Sequence, residues 1–168
     1  MILIFDLFLI TLLLVLLSII WPPGAPWVPA PKDKILKMLK MLKLKPDEIV
    51  YDLGSGDGRI LIVAAQEFGA KGVGVEIDPL RVFYSQALIR IKGFSPKIKI
   101  IRQNILEADL SGADAVTLFL LPKILSKLKE KLLKELKPGA RIACYRYPLD
   151  LPELNRDEKE KIFIYQIK

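Results

Sequence analysis

Histidine is missing from this chain of 168 residues, and cysteine occurs once, at Cys144. Without histidine there is no His-ligated zinc site and no Ser-His or Cys-His nucleophile pair. A single cysteine excludes disulfides within the chain and cysteine-ligated iron–sulfur clusters. Its place in the apolar run Ile142-Ala143-Cys144 marks it as a small buried hydrophobe. Positive charge is missing from the start of the chain: the net charge is +7, yet every Lys and Arg lies at or after Lys32. That excess suits nucleic acid, an anionic membrane face or an acidic protein, and equally a solvated lysine surface. No base-reading motif or aromatic-basic interleaving accompanies it, so nucleic acid is not an expected partner. There is no internal repeat or low-complexity segment. The length fits one domain plus an N-terminal extension.

The extension is apolar. Ile2 to Ile20 is interrupted only by Asp6, Thr11 and Ser18. About twenty helical residues reach roughly 30 Å, the thickness of a bilayer's hydrocarbon core. The start Met1-Ile2-Leu3-Ile4-Phe5 lacks the basic residues of a cleaved signal peptide, so residues 1–21 are expected to be an uncleaved transmembrane anchor. Lys32, Lys34, Lys37, Lys40, Lys43 and Lys45 follow it, which predicts a single-pass membrane protein with its domain on the cytoplasmic side. Residues 22–31, rich in proline, read as a stiff tether, with Trp21 and Trp27 at the lipid interface. Ile35, Met38, Leu39 and Leu42 share one helical face, expected to pack on a sheet ahead of the first strand; a basic helix lying on anionic lipid is the alternative.

The stretch that organises the rest is Tyr51-Asp52-Leu53-Gly54-Ser55-Gly56-Asp57-Gly58-Arg59. It follows the apolar pair Ile49-Val50 and opens onto Ile60 to Ala65, the context of a strand, a glycine turn and a helix start. A dinucleotide fingerprint needs glycine at position 59, where this chain has Arg59. Asp52, two residues before the first glycine, would repel a pyrophosphate but suits a cofactor with an ammonium and a positive sulfur. S-adenosyl-L-methionine carries both, and also a carboxylate for the helix N-terminus. A glycine turn without any cofactor is the competing reading. With one cysteine, radical chemistry on this cofactor is excluded and polar methyl transfer remains.

From Ile49 onward strands (49–53, 72–77, 98–102, 114–120, 140–146, 161–167) alternate with helices (58–68, 80–92, 123–136). This predicts an α/β fold with a doubly wound, mostly parallel, Rossmann-like sheet over residues 32–168 and ligands at the carboxyl ends of its strands. Asp52, Gly54, Ser55, Gly56 and Gly58 are the expected cofactor turn. Glu76, about twenty residues on, is placed to accept ribose hydroxyls, while Asp78 before Pro79 reads as a helix cap. Asn104 can reach an adenine edge or serve as a turn residue, and Ile77 and Ile105 can sandwich the ring. The fourth strand ends Thr117-Leu118-Phe119-Leu120-Leu121-Pro122, without the Asn or Asp, two prolines and aromatic usual in enzymes that methylate base amines. Phe119, Leu120, Tyr145 and Tyr147 are channel candidates for an aliphatic amine, with core packing as the alternative. No catalytic base and no metal ligand set stands out.

Pro26 to Pro31, Tyr51 to Ile60, Gly74 to Pro79, Tyr84-Ser85 and Ala140 to Pro148 together resemble the class I (seven-strand) S-adenosylmethionine-dependent protein-lysine methyltransferases of the mitochondrial inner membrane. Those enzymes modify the ATP synthase c subunit and the adenine nucleotide translocase, and have archaeal relatives. The resemblance implies S-adenosyl-L-methionine at Asp52, Gly54, Gly56 and Glu76 and a protein substrate presenting lysine, a membrane protein among the candidates. The chain after Pro148 is short, a shortened C-terminus that leaves room for the loss of one late strand. The expected chemistry is in-line attack by an uncharged lysine amine on the cofactor's methyl group. The rival functions are a methyltransferase for a lipid or small amphiphile, and a non-catalytic membrane-tethered adaptor.

Overall fold

The computed structural model describes residues 6–13 and 28–168. After a helical stretch at 6–13 (α1), the elements run α2 (Lys32–Met41), β1 (Ile49–Leu53), α3 (Arg59–Phe68), β2 (Lys71–Glu76), α4 (Pro79–Ile91), β3 (Ile98–Arg102), β4 (Ala115–Leu118), α5 (Pro122–Glu135), β5 (Arg141–Tyr145), β6 (Asn155–Asp157) and β7 (Ile162–Gln166). The seven strands form one sheet in the order β3-β2-β1-β4-β5-β7-β6. β1 to β5 pair in parallel, β7 runs antiparallel to β5, and β6 antiparallel to β7. This is a Rossmann-like, mostly parallel sheet. Its direction of winding reverses between β1 and β4, which opens a crevice at their carboxyl ends.

Each face of the sheet has its own core. On one, Ile35 and Leu39 of α2, Leu61 and Ala64 of α3, and Val82 and Ile89 of α4 pack against Val50 and Ala115. On the other, Leu125, Leu128 and Leu132 of α5 meet Val116, Ile142 and Cys144. The three leucines recur at helical spacing, and burying each fully is worth about 1.5–3 kcal/mol. Local signals set the helix ends. The Asp78 carboxylate accepts from Leu80 N–H and Arg81 N–H ahead of Pro79, and Gly69 closes α3 at φ 70°. Arg141 of β5 donates to the carbonyls of Leu42 and Lys43 and pairs with Glu48, tying the end of α2 to the sheet.

Two expectations need correction. The sheet lacks no late strand: β6 completes it, three residues long. The cytoplasmic-side membrane placement is also overturned, and the transmembrane anchor and lipid partner on which it rested find no support. Among the described residues no helix is long and apolar enough to cross a membrane. Residues 1–5 and 14–27, which include the rest of the expected anchor, Trp21, Trp27 and most of the tether, lie outside the described residues.

Candidate active site

At the end of β1 the chain turns through Gly54, Gly56 and Gly58, at φ 81°, 54° and 76°. Gly54 is the most constrained, because its φ is left-handed and a Cβ there would meet Leu120 Cδ2 at 3.0 Å. The turn is fastened to β2. Gly54 N–H and Ser55 N–H both donate to the Val75 carbonyl, at 2.8 and 3.1 Å. It can lie this close only because β2 carries Gly74, where a Cβ would collide with Ser55 and Ile100.

Glu76, at the end of β2, is buried and accepts three backbone hydrogen bonds. Gly56 N–H reaches Oε2 at 2.9 Å, while Ile77 N–H and Asp78 N–H reach Oε1 at 2.9 and 3.0 Å. The carboxylate therefore clamps the glycine turn to the end of β2. Each oxygen offers about two lone pairs, so Oε2 can still accept from a ligand hydroxyl.

Asp52 stands in register between Gly74 and Thr117. Its Oδ1 accepts from Thr117 Oγ1 at 2.8 Å, and among the described residues no hydrogen bond reaches Oδ2. Burial pushes its pKa up to about 7, with the Glu76 and Asp57 carboxylates adding to the rise and the Thr117 hydrogen bond opposing it. Beside it, Ser55 Oγ is buried without a hydrogen-bond partner among the described residues.

These groups line a cavity of about 680 Å³ at the carboxyl ends of the strands, within the range of small-molecule sites. Asp52, Gly54, Ser55, Gly56, Glu76, Ile77, Asn104 and Ile105 all border it, as do Phe119, Leu120 and Tyr147. Gly58 does not: a Cβ there would face Ile89 and Ser85 of α4, so its place is in packing. Tyr145 does not line it either, but packs edge-on against Phe119 with ring centroids 4.8 Å apart. The Asn104 amide is engaged locally. Its Oδ1 accepts from Leu106 N–H and its Nδ2 donates to Glu107, the pattern of a turn residue.

The structure also brings in residues that sequence reasoning missed. Val28, Pro29 and Ala30 form part of the cavity wall, and Arg59 holds Ala30 there by donating to its carbonyl at 3.3 Å. Asp57 fixes Arg59 through both carboxylate oxygens. Arg81, Leu121, Ile124 and Arg146 complete the wall. The Pro26 to Pro31 stretch had already contributed to the resemblance, which was a signal for Val28 to Ala30. Ala140 to Pro148, which contains Arg146, contributed to it as well, although nothing gave that arginine a role.

A carboxylate with one oxygen open, an unpartnered buried hydroxyl and a glycine turn beside them fit a ligand carrying positive charge and polar groups. The family description "ANTKMT methyltransferase domain" matches residues 52–156, which span the end of β1, the turn and β2 to β5. The chain belongs to this family. Its fold and cofactor are those of an S-adenosyl-L-methionine-dependent methyltransferase. A protein-lysine N-methyltransferase of Saccharolobus islandicus (strain REY15A) is 44% identical over 128 residues, 76% of this chain and 80% of that protein. A lysine N-methyltransferase of the ATP synthase c subunit, from Xenopus laevis, is 36% identical over 73% of this chain, which spans 54% of that longer protein. A solved structure described as an RNA methyltransferase from Salinibacter ruber, in complex with S-adenosyl-L-homocysteine, superposes with a TM-score of 0.80 at 34% identity, covering 83% of this chain and 94% of that one.

Proposed function

We propose that this family member methylates the ε-amine of lysine side chains in a protein, with residues 32–168 as the methyltransferase domain. The observation that carries the reading is the contrast within the cavity. Its β1–β2 side presents buried carboxylates, and its β4–β5 side is walled by Phe119, Leu120, Leu121, Ile124 and Tyr147. The names of the relatives from Saccharolobus islandicus and Xenopus laevis support it.

When bound, S-adenosyl-L-methionine supplies an electrophilic methyl group on a sulfonium. Asp52 would face the cofactor's ammonium through Oδ2, and Ser55, Gly54 and Gly56 would line its amino-acid portion. Glu76 would accept the ribose hydroxyls on Oε2 while keeping its hydrogen bond from Gly56 N–H. Ile77 and Ile105, which line the cavity, would flank the adenine, with Asn104 shaping the turn beside it. On the other side the apolar wall acts on the incoming amine. Free lysine has a pKa of about 10.4, and desolvation against Phe119, Leu120 and Leu121 lowers it, so the neutral amine needs no dedicated base. The same wall excludes water and aligns the amine.

The likeness to the Salinibacter ruber structure raises RNA as an acceptor. However, Leu118-Phe119-Leu120-Leu121-Pro122 offers no amide or carboxylate to a base amine. The test is to incubate the chain with radiolabelled S-adenosyl-L-methionine and matched protein, RNA and lipid fractions, followed by mass spectrometry of the labelled material. Label on lysine in the protein fraction supports the reading. Label confined to RNA or lipid overturns it.

A further inference from the structure

Four carboxylates and three guanidinium groups line the cavity, and most of them cancel. Asp57 pairs with Arg59 and Asp78 with Arg81. Asp52 and Glu76 remain on the β1–β2 side, and Arg146 on the far side, just beyond the end of β5. Among the described residues the Arg146 guanidinium has no ion pair and no hydrogen bond, and the residue is exposed at the cavity wall.

Its backbone is unusual too. Arg146 has φ 76°, a left-handed conformation that strains any residue with a Cβ. It is held there, because Arg146 N–H donates to the Lys161 carbonyl at 2.7 Å. The neighbours are fixed as well. Tyr145 packs on Phe119, and Leu149 N–H donates to Tyr165 Oη at 2.9 Å. Strain retained beside a cavity, at a charge with no partner, implies that the partner arrives with the substrate.

We propose that Arg146 is a specificity residue that binds a carboxylate side chain next to the acceptor lysine, so that lysines with an acidic neighbour are preferred. The inference rests on the lysine reading above. An arginine fork takes a carboxylate with two parallel hydrogen bonds, which selects geometry as well as charge. Its location suits this role. The apolar wall of Phe119, Leu120 and Tyr147 lies beside it, so an amine entering past that wall leaves its neighbouring residue at the rim. The chain's net charge of +7 favours acidic segments at longer range.

The test uses synthetic peptides with one lysine flanked by Glu, Gln or Lys, assayed for methyl transfer by wild type, Arg146→Gly, Arg146→Lys and Arg146→Glu. Calorimetry with S-adenosyl-L-methionine and thermal melting are run on each protein. Wild type should favour Glu over Gln flanks by roughly three- to tenfold, less at high salt. Arg146→Gly should bring that ratio to about one without lowering the melting temperature, since glycine accepts φ 76° freely. Arg146→Lys should fall between, and Arg146→Glu should shift preference to Lys flanks. An indifferent wild type, or an Arg146→Gly protein that keeps the preference, overturns the proposal. So does an Arg146→Gly protein whose cofactor binding weakens in proportion, which would assign the guanidinium to the cofactor. If wild type binds cofactor but methylates none of the peptides, the lysine reading fails first and this one falls with it.

Discussion

Replacing Asp52 with asparagine should separate two consequences of burying a carboxylate that is 2% exposed. In the folded, ligand-free chain its pKa is about 7, against an ordinary 3.8. The folded state therefore holds the proton more tightly than the unfolded state does. The stability this contributes is complete below pH 3.8 and lost as pH rises through about 7. A difference of about 3 pH units at 1.36 kcal/mol each gives about 4 kcal/mol. An asparagine side chain cannot ionise and can still accept from Thr117, so Asp52→Asn should stabilise the ligand-free protein by up to that amount at about pH 8 and by little at about pH 4. For a chain of this length, that is a rise in melting temperature of roughly 8–16 °C at the higher pH. Cofactor binding should move the opposite way, losing roughly 2–5 kcal/mol, about thirtyfold or more, once the ammonium has no anion to meet. Wild-type affinity for S-adenosyl-L-methionine should also fall about tenfold per pH unit below about 7, while the variant's stays flat. Melting curves at both pH values, with calorimetry across that range, check all of this. A variant that melts lower than wild type at the higher pH, or binds cofactor equally well, would refute the argument.

Glu76→Gln should act on stability in the opposite direction to Asp52→Asn. One end of the amide becomes a donor facing backbone N–H groups, so stability should drop by about 1.5–3 kcal/mol in urea denaturation, and cofactor affinity with it. Gly74→Ala should cost about 1–3 kcal/mol and weaken cofactor binding by pushing Ser55 out of place. Gly93→Ala, where a Cβ meets nothing within 4 Å, should leave calorimetric cofactor affinity unchanged. Tyr165→Phe removes the buried acceptor for Leu149 N–H and should cost about 1–3 kcal/mol. Because it loosens the segment carrying Tyr147, steady-state kinetics should show a higher KM for the acceptor at unchanged cofactor affinity.

The parallel part of the sheet was legible because buried strands such as Ala115–Leu118 are short apolar runs between turn signals, while α2 and α5 show a helical apolar period and Asp78 caps α4. β6 was not. Asn155, Arg156 and Asp157 are all polar, so no hydrophobic alternation marks them. They become a strand only because β7 offers an edge, pairing Asn155 with Ile164 and Asp157 with Ile162. Ion pairs from Lys34 to Glu160 and Lys37 to Asp157 hold this hairpin against α2. Such long-range pairing leaves no local trace. The apolar run before Ile20 gave a strong local signal, but hydropathy reports only what a segment could cross, and no helix of sufficient length is found among the described residues.

In the site, the legible residues were those whose chemistry and position agree. Asp52 and Glu76 end neighbouring strands, and parallel pairing carries both to the same edge of the sheet. Asn104 and Gly58 were harder to assign because their types serve two purposes: an amide that can meet a ligand can also close its own turn, and a glycine that admits a ligand can also admit a helix. The conformation and role of Arg146 were invisible for a third reason, that a left-handed arginine is set by its neighbours and not by its own preference. The topology then explains why the charges separate. β1 and β4 pair directly, in register at Asp52 and Thr117, yet the loops leaving them run in opposite directions across the sheet. Acids that follow β1 and β2 therefore collect on one side of the crevice. The apolar end of β4 and the strained arginine beyond β5 collect on the other, so a cationic cofactor and an acid-flanked lysine would approach from opposite sides.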